Sequence, residues 1–277
     1  MRSILVTGAG SGIGQALVER CLSQGDRVIA AVRSDADLAA LGAGPNLHGV
    51  RIDVSDTASV EAGFADADRW LAGQPLDVVV NCAAVCPLGA VEVQSEQVVL
   101  DTLNVNTVGS VRMLRAALPR LRGHGGRIAL VTSLWGKVSG PMLSAYCASK
   151  FAIEAVVDAA RRETAGQDAR IILIEPGVVR TRMVEGQVAE AERATQALTG
   201  EDARLYQDLY RKYHAMIHKN GGGGVSAEEC ARQIDAAVSA ANPRTRYKVG
   251  ADAKAVTALA RLFPDRALDR AFAMLLK

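Results

Sequence analysis

Short apolar runs alternate along this chain with longer stretches in which apolar residues recur at every third or fourth position. Uninterrupted short runs are typical of strands buried on both faces, and the longer periodic stretches are typical of amphipathic helices. The pattern therefore predicts an α/β fold, a doubly wound parallel sheet with helices on both faces. The predicted strands cover residues 3–7, 27–32, 48–52, 77–80, 128–131, 170–175 and 247–249, and helices include residues 55–72, 95–121, 143–165 and 227–240.

Glycines and polar residues follow the carboxyl ends of the predicted strands. Ligands of a doubly wound sheet bind outside these ends, so residues from distant parts of the chain can meet there. The agreement of several strand ends predicts one ligand site at one edge of the sheet. The candidates at these ends are Gly8 to Gly14, Arg33, Asp53, Asn81, Ser133 and Pro176.

The first strand leads directly into a glycine-rich turn, Gly8-Ala9-Gly10-Ser11-Gly12-Ile13-Gly14. Such glycines allow a tight turn and the close approach of a pyrophosphate, which the amides at the start of the next helix can hold. A plain glycine-rich turn is the alternative. The strand before it and the helix after it favour a dinucleotide site.

The end of the second strand bears on the choice of cofactor. An acidic residue there usually binds the ribose of NAD, whereas an arginine accommodates the 2′-phosphate of NADP. Here the strand is followed by Arg33 and Ser34, so we expect NADP(H). Asp35 or Asp37 could instead turn toward the ribose, which keeps NAD(H) open. Asp53, after the third strand, can reach the adenine edge or cap the following helix.

Tyr146 and Lys150 lie four residues apart on a predicted helix and therefore share one face. A lysine ammonium beside a phenol favours the phenolate, so we expect Lys150 to lower the pKa of Tyr146 and fit it for proton transfer. The loop opened by Ser133 can bring its hydroxyl over the same face, where it would bind the same substrate oxygen. Asn106 lies within the predicted helix 95–121, where a buried carboxamide is expected to bond something specific.

Length and composition limit the classes of protein. With 277 residues, 49% hydrophobic and 22% charged, the chain can bury a large core, and we expect one domain over residues 1–277. No apolar run approaches the ~20 residues that span a bilayer, and no signal peptide is evident. Five scattered cysteines favour a reduced, cytoplasmic setting. A net charge of +2 argues against a nucleic-acid partner.

Two stretches lie outside the strand and helix alternation. Residues 182–224 are expected to form a helical lid over the substrate cleft, with residues 221–224 as its flexible return, although the same helices could simply pack on the body of the protein. The amphipathic tail, residues 251–277, is expected to pack on its own domain or on a second subunit, with a membrane surface as the alternative. His214 and His218 share a helix face, but no third ligand accompanies them, so no metal is expected.

As a set, these motifs resemble those of the short-chain dehydrogenase/reductase family. They match the family in order and approximate spacing over about residues 1–182, and the resemblance implies a Rossmann-type sheet of seven strands in the order 3-2-1-4-5-6-7. One departure is Ala84, which puts a Cβ where the family usually has glycine. The motifs are TGAGSGIG (7–14), Asp53-Val54, NCAA (81–84), Asn106, Ser133, YCASK (146–150) and PGVVRT (176–181).

The resemblance also implies roles for individual residues. The catalytic set would be Asn106, Ser133, Tyr146 and Lys150, with Tyr146 as general acid and base and Asn106 supporting a water in a proton relay. Candidate substrate contacts are Leu134, Trp135 and Met142 after the fifth strand, with Met183, Tyr206 and Tyr210 in the lid. The implied cofactor contacts are Gly8, Ser11, Gly12, Ile13, Gly14, Arg33, Ser34, Asp53, Val54, Asn81, Ala83, Tyr146, Lys150, Pro176, Gly177, Val179 and Thr181.

The sequence between the motifs, including residues 148–163 and 246–253, resembles the branch with 17β-hydroxysteroid and retinol dehydrogenases. This implies an NADP(H)-dependent oxidoreductase that interconverts a hydrophobic ketone and a secondary alcohol. A 3-oxoacyl thioester reductase and a non-catalytic dinucleotide-binding regulator are the alternatives. The family also commonly pairs through the helices at 95–121 and 143–165, so we expect a homodimer or a homotetramer.

Overall fold

A computed structural model describes residues 1–220 and 223–276 of the chain. Its strands are β1 (Ser3–Thr7), β2 (Arg27–Val32), β3 (Leu47–Arg51), β4 (Val78–Asn81), β5 (Arg127–Val131), β6 (Arg170–Pro176), β7 (Val179–Arg180), β8 (Val225–Ser226) and β9 (Arg246–Val249). Seven of them form one parallel sheet in the order β3-β2-β1-β4-β5-β6-β9, and β7 pairs with β8. The predicted topology is therefore confirmed, with β9 as the seventh strand of the sheet.

Eleven α-helices lie within the described residues. Because alternate strand residues face opposite sides, each strand buries apolar side chains against helices on both faces. The third, fifth and sixth helices cover one face, and the first and ninth cover the other. The helices are α1 (Gly12–Ser23), α2 (Asp35–Ala40), α3 (Thr57–Leu71), α4 (Glu96–Leu103), α5 (Gly109–Leu121), α6 (Ser144–Glu163), α7 (Arg182–Ala197), α8 (Gly200–Asn220), α9 (Ala227–Ser239), α10 (Ala251–Leu262) and α11 (Asp265–Leu275).

Polar side chains cap several helices where the chain leaves the sheet. Ser34 accepts a hydrogen bond from the amide of Asp37 at the start of α2, and Asp56 accepts from two amides of α3. Ser95 and Ser226 cap α4 and α9 in the same way. These bonds satisfy amides that have no partner within the helix, and thereby fix where each helix begins.

The region predicted as one helix over residues 95–121 is interrupted. A single π-helical turn, Asn104–Val108, separates α4 from α5. Single π-turns are frequent at functional sites because they redirect the side chains they contain. Here the turn places the side chain of Asn106 in the protein interior. The prediction of one continuous helix over residues 95–121 is therefore wrong at this turn.

The lid and tail stretches pack on the carboxyl side of the sheet. Helices α7 and α8 contact each other and an apolar group around Met142 and Cys147, while Ala253 of α10 packs with Leu134 and Val138. Of the predicted return, residues 221–222 lie outside the described residues. Across residues 1–220 and 223–276, no helix is both long and apolar enough to cross a membrane.

Candidate active site

The turn between β1 and α1 is shaped to hold a phosphate. Gly8 and Gly12 have φ values of +65° and +55°, in the left-handed region that glycine adopts readily. A Cβ on Gly14 would lie 2.2 Å from the carbonyl oxygen of Gly8, so no side chain fits there. Ser11 precedes α1 without capping it through its side chain, and the first turn, which includes Ile13, has no acidic residue. Such an uncapped helix start suits the pyrophosphate of a dinucleotide.

Three polar groups lie beside this turn at the end of β2. Arg33 is exposed, and the Ser34 hydroxyl donates to the Asp37 carboxylate at 2.6 Å. The Asp37 carboxyl carbon lies 3.7 Å from where a Cβ on Gly10 would be, so this acid faces the glycine turn. Both Arg33 and Asp37 thus follow β2 at the edge of the sheet where a dinucleotide's adenosine ribose would bind.

Asp53 follows β3 and is held by its own loop. Its Oδ1 atom accepts from the amide of Ser55 at 2.9 Å and from the Ser55 hydroxyl at 2.6 Å. Burial alone would raise the pKa of Asp53, but these bonds and the charges of Arg33 and Arg112 hold it below its usual range. Val54, the next residue, is buried against the start of α5. The cap of α3 is provided by Asp56 and not by Asp53.

Asn81 at the end of β4 is occupied inside the protein. Its carboxamide oxygen accepts from the Thr7 hydroxyl at 2.6 Å, and its nitrogen donates to the Ser110 hydroxyl at 3.2 Å. The Thr7 oxygen in turn accepts from the amides of Cys82 and Ala83. The side chain of Asn81 therefore ties β1 to β4, and a cofactor contact from this segment would come from its backbone.

Asn106 is almost completely buried and has three specific partners. Its oxygen accepts from the amide of Val85, and its nitrogen donates to the carbonyl of Val85 and to the Ser149 hydroxyl, each at 2.9 Å. Ser149 donates to the carbonyl of Tyr146 at 2.7 Å. The carboxamide thus joins the loop after β4 to the helix that carries Tyr146 and Lys150. This agrees with the expectation that a buried Asn106 makes specific hydrogen bonds.

Ser133, Tyr146 and Lys150 converge at the carboxyl ends of β5 and β6. Tyr146 and Lys150 are 8% and 2% exposed. The ammonium of Lys150 donates to the carbonyl of Val131 at 3.0 Å and lies 5.4 Å from the centre of the Tyr146 ring. The Ser133 hydroxyl lies close enough to Tyr146 to influence its pKa. The structure therefore brings together the three side chains that the sequence grouped by spacing.

The pKa values in this group differ from the sequence-based expectation. Burial raises the pKa of Tyr146 well above its usual range, the nearby Cys86 adds to the increase, and the Ser133 hydroxyl opposes it. Burial also lowers the pKa of Lys150 to about 8. The arrangement therefore differs from the expected lowering of the Tyr146 pKa, because desolvation is the largest influence on this phenol and raises its pKa.

The segment after β6 closes the site from the other side. The Ser133 hydroxyl faces the Pro176 carbonyl at 3.5 Å. A Cβ on Gly177 would lie about 2.1 Å from the carboxylate of Asp252, which accepts from the amide of Val178 at 2.6 Å. An acidic residue of α10 thus fixes the turn that follows β6, and only glycine fits at its centre.

Thr181 and Val179 lie next to the glycine turn of β1. The methyl carbon of Thr181 would be 3.1 Å from a Cβ on Gly12, so the two segments are in close contact. Val179 is buried and pairs with Val225 in the small sheet of β7 and β8. The start of α7, which Thr181 precedes, is therefore placed beside the start of α1.

An apolar group of side chains lies above Tyr146, and we call it the cleft cluster. Of the six predicted substrate contacts, Met142 and Tyr210 lie within it and Trp135 and Tyr206 pack against it. Leu134 packs instead with α10, and Met183 is exposed at the start of α7. The buried members are Leu88, Ala90, Met142, Leu143, Cys147, Ala191, Tyr210 and Tyr213.

Four hydrogen bonds join the loop after β4 to helices α7 and α8. Two of the bonds use backbone amides of the loop and two use its side chains. We call this set the lid contacts. They are Gln187 Nε2 to Cys86 Sγ at 2.8 Å, the Leu88 amide to Glu190 Oε1 at 3.2 Å, the Ala90 amide to the Tyr210 hydroxyl at 3.0 Å, and the Tyr206 hydroxyl to Glu92.

Sequence reasoning missed several residues of this site. Cys86 was considered only as one of five scattered cysteines, yet it lies close enough to raise the pKa of Tyr146. Ser149 stands between Tyr146 and Lys150, and its position in that motif was the available signal. Within the described residues no three His, Cys, Asp or Glu side chains cluster as metal ligands do, and His214 and His218 face only each other as rings 6.3 Å apart.

Comparison with known proteins identifies the family. The family model described as short chain dehydrogenase matches residues 2–192. Retinol dehydrogenase 5 of Homo sapiens is 30% identical over 96% of this chain and 86% of its own length. The NADPH-dependent 3-dehydrocapnine reductase of Ornithobacterium rhinotracheale is 28% identical over 98% of this chain and 96% of its own length.

Solved structures show the same fold. A short-chain dehydrogenase of Streptomyces avermitilis has a TM-score of 0.76 at 24% identity, covering 99% of this chain and 94% of its own. A short chain dehydrogenase of Burkholderia cenocepacia in complex with NADP has a TM-score of 0.75 at 24% identity, with both chains fully covered. Together with the family match, this shows that the chain belongs to the short-chain dehydrogenase/reductase family of oxidoreductases.

Proposed function

We propose that this protein is an NADP(H)-dependent oxidoreductase that interconverts a ketone and a secondary alcohol on a hydrophobic substrate. The observation that carries the proposal is the convergence of Ser133, Tyr146 and Lys150 beneath the cleft cluster, beside a glycine turn shaped for a pyrophosphate. A carbonyl oxygen placed among these side chains would meet a hydroxyl donor, a phenol and an ammonium at once.

In the reductive direction, Tyr146 is the proton donor to the substrate oxygen. The phenol is protonated at neutral pH and so carries the proton to be donated, while its raised pKa means that other groups must stabilise the phenolate. The Ser133 hydroxyl holds the same oxygen, and the ammonium of Lys150 stabilises the phenolate that remains after transfer. NADPH, when bound, supplies the hydride. Asn106 fixes the helix that carries Tyr146 and Lys150 against the loop after β4.

NADP(H) is favoured over NAD(H) by Arg33, which is exposed beside the glycine turn and can approach a 2′-phosphate. A relative named as NADPH-dependent supports this choice. Asp37 works against it, since its carboxylate faces the same turn. Because Arg33 favours a 2′-phosphate and Asp37 disfavours it, NAD(H) is the second cofactor to test.

A hydrophobic substrate is supported by the apolar character of the cleft cluster above Tyr146. Proteins similar to this chain are named retinol dehydrogenase 5, 3-dehydrocapnine reductase and 3-amino-tetrahydro-pyrrolizinone reductase. We assign α7 and α8, within the stretch 182–224 predicted as a lid, as the cover of this cleft, because both helices bond to the loop after β4. Residues 251–277 are a C-terminal extension within a single domain.

We also propose a homodimer, or a homotetramer built from it, that pairs through α4, α5 and α6. Three large apolar side chains are exposed on α4, on the π-turn before α5 and on α6, and would be covered by a second copy: Leu100, Val108 and Phe151.

The decisive experiment compares Tyr146→Phe with the wild type in NADPH-dependent reduction of a panel of hydrophobic ketones and acetoacetyl thioesters. Loss of the acid should lower kcat by at least about 10²-fold, because general acid catalysis contributes about 10²- to 10⁴-fold. NADPH binding, measured by fluorescence titration, should stay close to the wild-type value. Tyr213→Phe, in the same cluster, is the control.

Near-normal turnover by Tyr146→Phe would remove Tyr146 from the reaction. Activity confined to acetoacetyl thioesters would favour the 3-oxoacyl thioester reductase. NADPH binding without turnover of any substrate in the panel would favour a dinucleotide-binding regulator.

A further inference from the structure

Four ionisable side chains meet between α6, the carboxyl ends of β5 and β6 and the first residue of β9. We call Lys137, Glu154, Glu175 and Arg246 the ion cluster. Lys137 Nζ donates to Glu154 Oε2 at 2.6 Å, and Arg246 Nε approaches the same oxygen at 3.2 Å. Glu175 is fully buried, with Oε1 3.2 Å from Arg246 Nε and 3.6 Å from Lys137 Nζ. Burying charges is unfavourable unless they are paired, so each member depends on the others.

Glu154 connects this cluster to the strand that carries Ser133. Its Oε1 atom accepts from the Thr132 hydroxyl at 2.9 Å. Thr132 is the residue before Ser133, and its hydroxyl also lies 3.1 Å from the carbonyl of Ile174 on β6. A shift of the Glu154 carboxylate would therefore move the end of β5, where the Ser133 hydroxyl is placed.

Glu154 also lies one turn after Lys150 on α6. A Cβ on Gly136 would be 3.1 Å from the carbonyl oxygen of Lys150 and 3.2 Å from the Cγ of Glu154. The turn that follows Ser133 thus rests directly on this part of α6, with no space between them. The packing makes the distance from Ser133 to Lys150 depend on the side chain at position 154.

The charge of Glu154 matters as well. The titratable groups that influence Lys150 are Cys82, Cys86 and Glu154, and the Tyr146 ring lies against its ammonium. Burial raises the pKa of both thiols and of the Tyr146 phenol well above their usual ranges, so these groups are neutral near pH 8. The Glu154 carboxylate is therefore the anion that favours the charged form of Lys150.

We propose that Glu154 is a positioning residue for the reaction, which keeps Ser133 aligned with Lys150 and supports the positive charge of Lys150. The role rests on the proposed function, because it requires the Ser133 hydroxyl and the Lys150 ammonium to act on a substrate and a dinucleotide. Lys137 and Arg246 hold the Glu154 carboxylate in place directly, and Glu175 pairs with both of these cations.

The test compares Glu154→Gln with Asp158→Asn. Asp158 lies one turn further along α6 and pairs with Arg246 at 2.6 Å and with Arg161 at 2.9 Å, so its replacement removes a carboxylate from the same helix and the same arginine. The first readout is the titration of Lys150 in protein without added dinucleotide. The titration is monitored by NMR of the lysine ε-methylene signals. The signal of Lys150 is identified as the one that is lost in Lys150→Met.

We expect Glu154→Gln to lower the titration midpoint of Lys150 by about half a pH unit or more, because an opposite charge nearby favours the ammonium. We expect Asp158→Asn to leave that midpoint near the wild-type value. In ketone reduction, Glu154→Gln should lower kcat by about tenfold to a hundredfold with a smaller change in the KM of the ketone, since misplacement by about 1 Å can cost about 10²-fold.

Thr132→Val tests the alignment separately and remains informative if Glu154→Gln does not fold. It removes the hydroxyl that Glu154 binds and keeps the charge, so kcat should fall while the Lys150 midpoint stays unchanged. The proposal is overturned if the Lys150 midpoint moves equally in Glu154→Gln and Asp158→Asn, or if Thr132→Val keeps wild-type kcat. If the wild type reduces no ketone, the proposed function fails, whereas the titration still decides whether Glu154 supports the charge of Lys150.

Discussion

The ammonium nitrogen of Lys150 lies 5.4 Å from the centre of the Tyr146 ring, over its face. Its hydrogen bond goes to the backbone carbonyl of Val131. Because the site is buried, the pKa of Lys150 falls to about 8, close enough to neutrality for a ligand to change its charge. The charge state of this lysine is therefore expected to respond to the binding of an anionic dinucleotide.

Binding of NADPH should take up a proton at pH values above about 8. The dinucleotide's negative charge favours the ammonium, so a Lys150 that is neutral before binding gains a proton on binding. The affinity should consequently fall as the pH rises through 8, and no uptake by Lys150 is expected well below pH 8, where it is already charged. Calorimetry in two buffers with different ionisation enthalpies, about one pH unit below and above 8, measures the uptake.

Lys150→Met is the control for this coupling, since it removes the titrating group. Equal proton uptake in the variant and the wild type above pH 8 would assign the proton to another group.

The sheet and the edge that holds the site were predictable from the sequence because they depend on local signals. Apolar runs mark buried strands, and a glycine turn between strand and helix marks the phosphate cradle. The π-turn at Asn104–Val108 was not predictable in this way. It places Asn106 for bonds to Val85 and Ser149, which are far from it in sequence, and no local pattern specifies such partners.

The substrate side shows the same limit. The sequence predicted substrate contacts at Met142, Tyr210 and Leu134, and it gave no reason to expect that the first two pack in the cleft cluster and Leu134 on α10. Asn81 stays a predicted cofactor contact through its backbone, and the sequence did not indicate that its carboxamide bonds to Thr7 and Ser110. The partners that a side chain contacts depend on tertiary packing, and they cannot be read from the residue type alone.

Arg33 and Asp37 should control the choice of cofactor in opposite directions. Arg33→Asp replaces the cation that would bind a 2′-phosphate with an acid, so affinity for NADPH should fall by at least about tenfold relative to NADH. Asp37→Asn removes the carboxylate that faces the glycine turn, so the preference for NADPH should increase. Fluorescence titration with each dinucleotide measures both effects.

Arg51→Gln is the matched control, because Arg51 ends the neighbouring strand and pairs with the exposed Asp35 at 3.5 Å. An NADPH to NADH ratio unchanged in Arg33→Asp, or lowered equally in Arg51→Gln, would exclude a specific role for Arg33.

The lid contacts should govern how readily α7 and α8 separate from the loop after β4. Tyr210→Phe removes the hydroxyl that accepts from the amide of Ala90 and leaves that buried amide without its partner, which destabilises the closed arrangement by about 1–3 kcal/mol. Hydrogen exchange of residues 88–92 should become faster in this variant. Tyr213→Phe changes the same helix and the same cluster but makes none of the four lid contacts, so its exchange there should match the wild type.

If the amide of Ala90 exchanges at the same rate in Tyr210→Phe as in Tyr213→Phe, then the hydrogen bond does not hold the helices on the loop. A lower KM for a bulky ketone in Tyr210→Phe would indicate that opening limits substrate entry.

Assembly through α4 and α6 should depend on Phe151, which is 42% exposed near Leu100 and Val108 on these helices and the π-turn between α4 and α5. Phe151→Asp places a charge in the middle of the proposed contact, where desolvation without a partner is unfavourable, and should convert the dimer or tetramer to a smaller species. Light scattering after size-exclusion chromatography measures the mass. Leu262→Asp, at a side chain 79% exposed at the end of α10, is the comparison. If Leu262→Asp dissociates the assembly and Phe151→Asp does not, then the C-terminal extension forms the interface.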